Sequence, residues 1–475
     1  MSTGYPNPEL IQGGMGVGIS NWELAHAVAV AGEKLDKRVL GVVSGIGLAL
    51  TMVNRLRRGD LDTRAALEAF PVPRMAQEII EEHWLNPDSK LPSKPEILVT
   101  GTEKKKAALI RMIVVANFME VWLAKQGHSR PIGINWLEKI QLTHLPEFFG
   151  AMLAGVDYVL MGAGIPNQVP GVLDSLAEWK ETSYRLDVAG GDNYVLPFDP
   201  KTFVPEAYRK PLTRPRFLAV VSHDALAKAL ATRASGEIDG FVVEGPMAGG
   251  HNAPARGKEI DANGEPVYGK RDEPDLDKIR ALGKPFWLAG GYGTPEKYAE
   301  ALRLGATGVQ VGSAFALCNE SGMLPDIKTE IRKQIISGTI LVMANPTVSP
   351  SGFPFQVVQL PGTLYDRKVL DNMERTCDHG YMVEAHEMKG GGKLFRCPAE
   401  PIKVFVKKGG KVEDTEGRVC ICKALSATAK DGISPELPYV GKIVTLGKDQ
   451  SFRDLPLINP DGSYSAEDVI RSILV

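Results

Sequence analysis

An α/β fold, a TIM (β/α)8 barrel with insertions and a C-terminal accessory subdomain, is predicted by three features of the 475-residue sequence. From residue 8 to about 336, short apolar runs alternate with helical patterns eight times, the signature of βα units around a parallel sheet. Most of the runs are continuously apolar rather than alternating, as strands covered on both faces must be. No GxGxxG fingerprint follows the first run, which disfavours the open dinucleotide-binding sheet.

The expected strands are ELIQGG (9–14), RVLGVVS (38–44), PIGINWL (131–137), DYVLMGA (157–163), RFLAVVS (216–222), IDGFVVEG (238–245), PFWLAGG (285–291) and TGVQVGS (307–313). Between them lie NWELAHAVAVAG, THLPEFFGAMLAG, HDALAKALATRASG, EPDLDKIRALG, TPEKYAEALRLG and LPDIKTEIRKQIISG. Several of these close on glycine, which ends helices readily. The barrel is expected to occupy 1–340, with an insertion at 60–130 whose segment EKKKAALIRMIVVANFMEVWLAKQG reads as one long amphipathic helix. Residues 184–214 and 251–275 are Pro, Gly and Asp-rich with little periodicity. They are expected on the rim where the strands end, the second as a lid-like loop. Beyond 340 the βα pattern stops, and 341–475 is expected as an accessory region with clustered cysteines.

Composition narrows the function classes. With 44% hydrophobic and 24% charged residues the chain is of ordinary globular type. Its 55 basic and 57 acidic residues leave a net charge of −2, without the cationic field that binds a phosphate backbone, so no nucleic-acid partner is expected. The most apolar window, VLGVVSGIGLALTMV (39–53), holds three glycines and a serine and falls short of the roughly 20 residues a spanning helix needs. No membrane association is expected. MSTGYPNPELIQGG has no signal-peptide pattern, and a cytoplasmic location is expected. An odd count of five cysteines argues against a disulfide framework.

Four glycine-bearing stretches carry the chemistry. AGGYGTPEKYAEAL (289–302) follows the seventh strand and QVGSAF (310–315) the eighth, where such barrels hold phosphate against backbone N–H groups and a helix start. The competing reading of Gly290, Gly291 and Gly312, tight turns alone, is the weaker one given their placement after the last two strands. IQGGMGVGISNWELAHAVAVAG (11–32) would bring bare backbone around Met15 to a flat ligand, with Ser20 or Asn21 capping the next helix. In EGPMAGGHNAPARG (244–257), Gly249 and Gly250 let the loop carry His251 over a ring. An imidazole that moves a proton at a carbon should titrate near the working pH, which histidine does unperturbed.

Together IQGGMG, GIN (133–135), EGPMAGGH, AGGYG and QVGSAF resemble the FMN-dependent nitronate monooxygenase family, formerly called 2-nitropropane dioxygenases, with its relatives the flavin-dependent enoyl reductases. The resemblance spans residues 8 to about 320. It implies that Gly13, Gly14 and Met15 line a flavin, that Asn135 hydrogen-bonds it, and that Gly290, Gly291, Gln310, Gly312 and Ser313 hold its phosphate and ribityl end. His251 matches the catalytic histidine of the family's EAGGH motif, while Met247 replaces the residue usual before AGGH. The implied reaction is oxidation of an alkyl nitronate with molecular oxygen. The alternative within the resemblance is reduction of an enoyl thioester by NAD(P)H, in which the 60–130 insertion and the tail would suit an acyl carrier protein. An alternative from another class is a flavin-free lyase or isomerase holding a sugar phosphate on the same loops.

Three residues are candidates for the substrate pocket: Lys139, just beyond the third strand near Gln141, Met161 of MGAGIP (161–166), and Met247. Glu138 offers Lys139 a charge partner, so a solvated loop lysine is the competing reading. Cys377, Cys397, Cys420 and Cys422, with His379 and His386 nearby, supply soft ligands for a structural zinc. Their spacing is not that of paired CxxC motifs, and a CxC pair also suits small buried hydrophobes.

Overall fold

Each of the eight apolar runs forms a strand of one closed parallel barrel: β1 (Leu10–Gln12), β2 (Val39–Ser44), β3 (Ile132–Leu137), β4 (Tyr158–Gly162), β5 (Arg216–Val221), β6 (Gly240–Glu244), β7 (Phe286–Ala289) and β8 (Gly308–Val311). The computed structural model describes residues 4–388, 390–432 and 441–475. Closure comes from β1, which pairs Leu10 with Val39 of β2 on one side and Ile11 with Gln310 of β8 on the other. The fold is a TIM barrel.

Side-chain alternation divides each strand between two cores. Ile11, Leu40, Val42, Leu160, Leu218 and Trp287 fill the barrel interior. Their neighbours Leu10, Val39, Val43, Val159, Phe217 and Phe286 face the surrounding helices. Trp287 Nε1 donates to Pro8 O (2.8 Å) at one end of the interior. The other end, where the strands finish, carries the loops that matter for function.

The insertion folds as helices Leu61–Glu68, Pro73–His83, Ile97–Thr100 and Glu103–Ala124. The last of these differs from the amphipathic helix expected. From Leu109 onward it is buried on almost every side, because it packs against helices Trp22–Lys34, Leu48–Arg57, Leu61–Glu68 and His144–Leu153. Only its Lys-rich start faces water. It is long and apolar enough to cross a membrane, yet most of its apolar window lies buried within the protein. Residues 184–214, expected without periodicity, contain most of an antiparallel hairpin, Thr182–Leu186 with Tyr194–Phe198.

Residues beyond 340, expected as an appended subdomain, share the barrel's outer core. The hairpin Val342–Asn345/Phe355–Val358 reaches the loop after β6, and Glu384–Glu387 pairs in parallel with Val188–Ala189. The final helix, Ala466–Leu474, lies on Trp22–Lys34, where Lys34 meets Glu467 (2.8 Å). A buried ion triad adds a pin: Arg55 contacts Glu120 (2.7 Å) and Asp431 (2.8 Å). Desolvating three charges is costly, so each must be fully partnered to remain there. Loop 251–275 is fastened too, since Glu265 accepts from Ala344 N and pairs with Lys448, both at 2.5 Å.

Candidate active site

The strand ends surround a cavity of about 270 Å³. Its base begins at β1. Buried Gln12 accepts from Val42 N (2.9 Å) and donates to Ser20 Oγ (2.9 Å), while Ser20 Oγ receives Met15 N (2.8 Å) and donates to Gly13 O (2.9 Å). These bonds fold residues 13–20 back on themselves and leave Gly13, Gly14 and Met15 on the cavity wall. Asn21, rather than Ser20, caps the following helix by accepting from Leu24 N (3.0 Å). Residue 14 has no room for a side chain: a Cβ there would lie 2.3 Å from the Cβ of Asn135 at the end of β3.

The opposite wall comes from the loops after β6, β7 and β8. Gly290 and Gly291 hold φ of +85° and +98°, conformations that favour glycine. Every residue assigned above to a cofactor meets at this one cavity: Gly13, Gly14, Met15, Asn135, Gly249, Gly250, Gly290, Gly291, Gln310, Gly312 and Ser313. His251 and Met247 line it as well. Met161 does not. It is fully buried in the core between barrel and helices, because Leu160 takes the inward position on β4 and strand alternation turns Met161 the other way.

His251 Nε2 lies 2.7 Å from Ser349 Oγ, and the ring stands edge-on to Phe355 at 4.8 Å. Burial, and then the charge of Lys139, hold the imidazole well below its ordinary value. It is therefore neutral at neutral pH, where the sequence argument expected a group titrating near the working range. Lys139 lies outside the cavity wall and is not a solvated loop lysine either. It is half-buried, with Nζ 4.3 Å above the Phe353 ring and donating to Ser351 Oγ (3.3 Å). Burial pushes it down to about 8. Glu138 turns to Gln141 (2.8 Å) and Tyr184 (3.2 Å) instead.

Sequence reasoning missed Glu244. It ends β6 on the cavity wall, its carboxyl has no hydrogen-bond partner among the described residues, and burial pushes it up to about 7. The available signal was a lone acid closing an apolar strand. The tail's share of the cavity was also missed: Tyr381, Met382, Cys422, Leu446 and Phe452 cover it. Among the described residues, no group of three or more His, Cys, Asp or Glu side chains is arranged to hold a metal ion, so the zinc expected at Cys377, Cys397, Cys420 and Cys422 has no support. The four thiols do lie within one another's field, but Cys420 and Cys422 hydrogen-bond each other, and burial holds Cys377 and Cys397 protonated. His386 lies instead against Arg396 (3.0 Å).

Two buried polar atoms on the cavity wall, Gln310 Oε1 and Ser44 Oγ, have no hydrogen-bond partner among the described residues. Buried polar atoms are normally satisfied, so these are places for a ligand's hydrogen-bonding groups. With backbone-lined glycine turns on two sides, the residues present fit a flat, polar-edged cofactor with a phosphate, as flavin mononucleotide is.

Fold and site thus define a (β/α)8 barrel whose strand ends close around a glycine-lined, histidine-bearing pocket. Within that class, residues 208–346 match the model of the nitronate monooxygenase family, a range that holds the EGPMAGGH, AGGYG and QVGSAF motifs. A curated relative, a probable nitronate monooxygenase of Bacillus subtilis (strain 168), is 31% identical over 173 residues, which is 35% of this chain and 46% of that protein. The chain therefore spans about half the length of that relative. Among solved structures, FabK from Thermotoga maritima is similar at 16% identity and a TM-score of 0.48, covering 98% of this chain and 91% of that one. Nitroalkane oxidase from Streptomyces ansochromogenes is similar at 13% identity and a TM-score of 0.44, covering 98% and 94%.

Proposed function

We propose that this protein is an FMN-dependent oxidoreductase of the nitronate monooxygenase kind, acting on a small anionic carbon substrate. The observation that carries the reading is the convergence, on one cavity, of two glycine turns, two orphaned polar atoms and His251. FMN would be held by Gly13, Gly14, Met15, Asn135, Gln310 and the turns at Gly290, Gly291 and Gly312, and supplies one- and two-electron chemistry that no side chain offers. The chain's own contribution is positional. Met382, Leu446 and Phe452 wall the substrate from water, and neutral His251 presents a ring nitrogen that exchanges a proton with the substrate carbon. Asp449 beside Gly291 works against a phosphate there, but its carboxylate is engaged by Ser451 N (3.0 Å) and Ser451 Oγ (2.8 Å).

The apolar cover over the pocket also suits a second reading, reduction of an enoyl thioester by NAD(P)H. The test is a spectrum of the purified protein, followed by anaerobic reduction with an alkyl nitronate or with NADPH. Oxygen uptake with nitronate supports the first reading, and NADPH oxidation driven by an enoyl thioester supports the second. Protein that neither shows flavin absorbance nor binds added FMN overturns both and favours a flavin-free phosphate-binding lyase or isomerase.

A further inference from the structure

A line of hydrogen bonds leaves His251 on the side away from the cavity. His251 Nε2 meets Ser349 Oγ (2.7 Å), Ser349 Oγ meets Ser351 Oγ (2.8 Å), and Lys139 Nζ donates to Ser351 Oγ (3.3 Å). Histidine and lysine come from the barrel's loops after β6 and β3, whereas both serines come from the turn of the hairpin beyond residue 340. That turn is held rigidly: Arg418 Nη1 donates to Thr347 O (2.8 Å) and Ser349 O (2.6 Å), and Ser351 N donates to Ser349 Oγ (3.3 Å).

The chemistry of the end group sets the direction of the line. An ammonium has donors only, so Ser351 Oγ must accept from Lys139. If Ser351 then donates to Ser349, and Ser349 to His251 Nε2, every hydroxyl hydrogen has a partner. The opposite direction would point two donors at Ser351 and strand its own hydrogen, which is unfavourable in a half-buried place. His251 Nε2 is thereby an acceptor and Nδ1 carries the proton. Nδ1 has no protein partner among the described residues, and the ring lines the cavity.

We propose that Lys139, Ser351 and Ser349 form a one-way proton wire that fixes the Nδ1–H tautomer of His251 and makes the imidazole a proton donor to the cavity. This rests on the reading of His251 as the group facing substrate. In the step, the electron pair of a carbanion-like carbon takes the Nδ1 proton, forming C–H and breaking N–H. Nε2 takes the Ser349 proton, Ser349 takes that of Ser351, and Ser351 takes one from Lys139. Both hydroxyls end neutral, the imidazole ends neutral as its Nε2–H tautomer, and Lys139 ends as the free amine. A proton from water at Nδ1 then sends the Nε2 proton back through Ser349 and Ser351 to Lys139, which restores the starting state. No electrons are exchanged in this step. The polarity fits a reaction that ends by protonating carbon, so among the two flavin readings above it bears on the second, reduction of an enoyl thioester, rather than on nitronate oxidation. Lys139, Ser351 and Ser349 are positioning residues, since none of them lines the cavity.

The test is the nitrogen spectrum of ¹⁵N-histidine-labelled holoprotein, with the His251 signals assigned by their loss in His251→Gln. Wild type is expected to show a protonated Nδ1 and an acceptor Nε2. Ser349→Ala and Lys139→Met are expected to mix the tautomers, and Ser349→Thr to keep the wild-type pattern. Ser351→Ala repeats the test if Lys139→Met fails to fold. In turnover, Lys139→Met should lower kcat by roughly a hundred-fold with KM unchanged, the low end of the range for one assisted proton transfer. A wild-type Nε2–H tautomer, or a tautomer indifferent to both variants, overturns the wire. The two readings fail separately. Colourless protein with the Nδ1–H tautomer would overturn the flavin and keep the wire, and flavin-loaded protein with the Nε2–H tautomer would do the reverse.

Discussion

The backbone N–H of Gly447 donates to Ser313 Oγ over 2.8 Å, fastening the C-terminal strap to the first residue beyond the loop after β8. Two further bonds fix the same strap to the loop after β6, Lys448 N to Met247 O (2.9 Å) and Gly250 N to Thr445 Oγ1 (2.8 Å). A Cβ at residue 447 would lie 2.7 Å from Met247 O. Gly447→Val is therefore expected to lift the strap and weaken FMN binding about tenfold, the effect of losing roughly 1.4 kcal/mol, while the barrel stays folded. Fluorescence titration with FMN, beside circular dichroism, checks it. Unchanged affinity would show that the strap does not shape the cavity.

Adjacent glycines on the cavity wall should behave differently. A Cβ at Gly14 would overlap Asn135, whereas one at Gly13 would meet Gln310 at 3.5 Å, an ordinary contact. Gly14→Ala is expected to cost about 1–3 kcal/mol, as overpacking does, and to lower flavin content. Gly13→Ala should be tolerated. Urea unfolding of both variants decides the matter, and equal effects would contradict the geometry.

Asp449 supplies a test of where the phosphate sits. A Cβ on Gly291 would lie 3.5 Å from its Oδ2, so a dianion held at this turn would feel the carboxylate. Removing a like charge a few ångströms away in a partly wet site is worth on the order of 1 kcal/mol. Asp449→Asn should thus tighten FMN several-fold and leave riboflavin, which lacks the phosphate, unaffected. Equal effects on both ligands would place the phosphate elsewhere.

His144 gives a stability prediction with a definite sign. Its ring stacks on Phe148 at 5.3 Å and meets Tyr184 edge-on at 5.1 Å, and burial pushes it from 6.5 down to about 4. Between those values the unfolded chain binds a proton that the native ring refuses. Stability from this group is therefore fully present above pH 6.5, falls as pH drops through the window, and is lost below 4, a swing of about 3 kcal/mol. Neighbouring Glu147, pushed up to about 8, runs the other way, losing stability as pH rises. His144→Phe should flatten the acid side of the profile relative to wild type. Urea midpoints at pH 7 and pH 4.5 test this, and parallel shifts in both proteins would refute it.

The barrel was legible because each strand is a local apolar run, and burial on both faces writes the same pattern wherever it occurs. RVLGVVS at 38–44 and β2 at Val39–Ser44 differ by one residue at the start. Gly13, Asn135, Gly290 and His251 were legible for a related reason. They stand directly after strands, and a closed barrel brings all strand ends to one rim. Met161 was misplaced because its facing depends on strand alternation relative to the axis, which a continuously apolar run hides. The burial of helix Glu103–Ala124 was hidden by composition, since its lysines suggested a wet face that only the first turns possess.

By itself the sequence determined the eight strands, the rim on which the chemistry lies, and the glycines and histidine assigned to it, all of which follow from short-range pattern and barrel closure. Only the tertiary structure decided what surrounds them. Leu446 and Gly447 reach the pocket, and Ser349 and Ser351 the far side of His251, from a region with no repeating pattern, by contacts more than ninety residues away in the chain, as His251 to Ser349 shows. Such contacts are set by packing of the whole molecule. The protonation states that matter, neutral His251 and a lowered Lys139, are set by the desolvation that packing imposes.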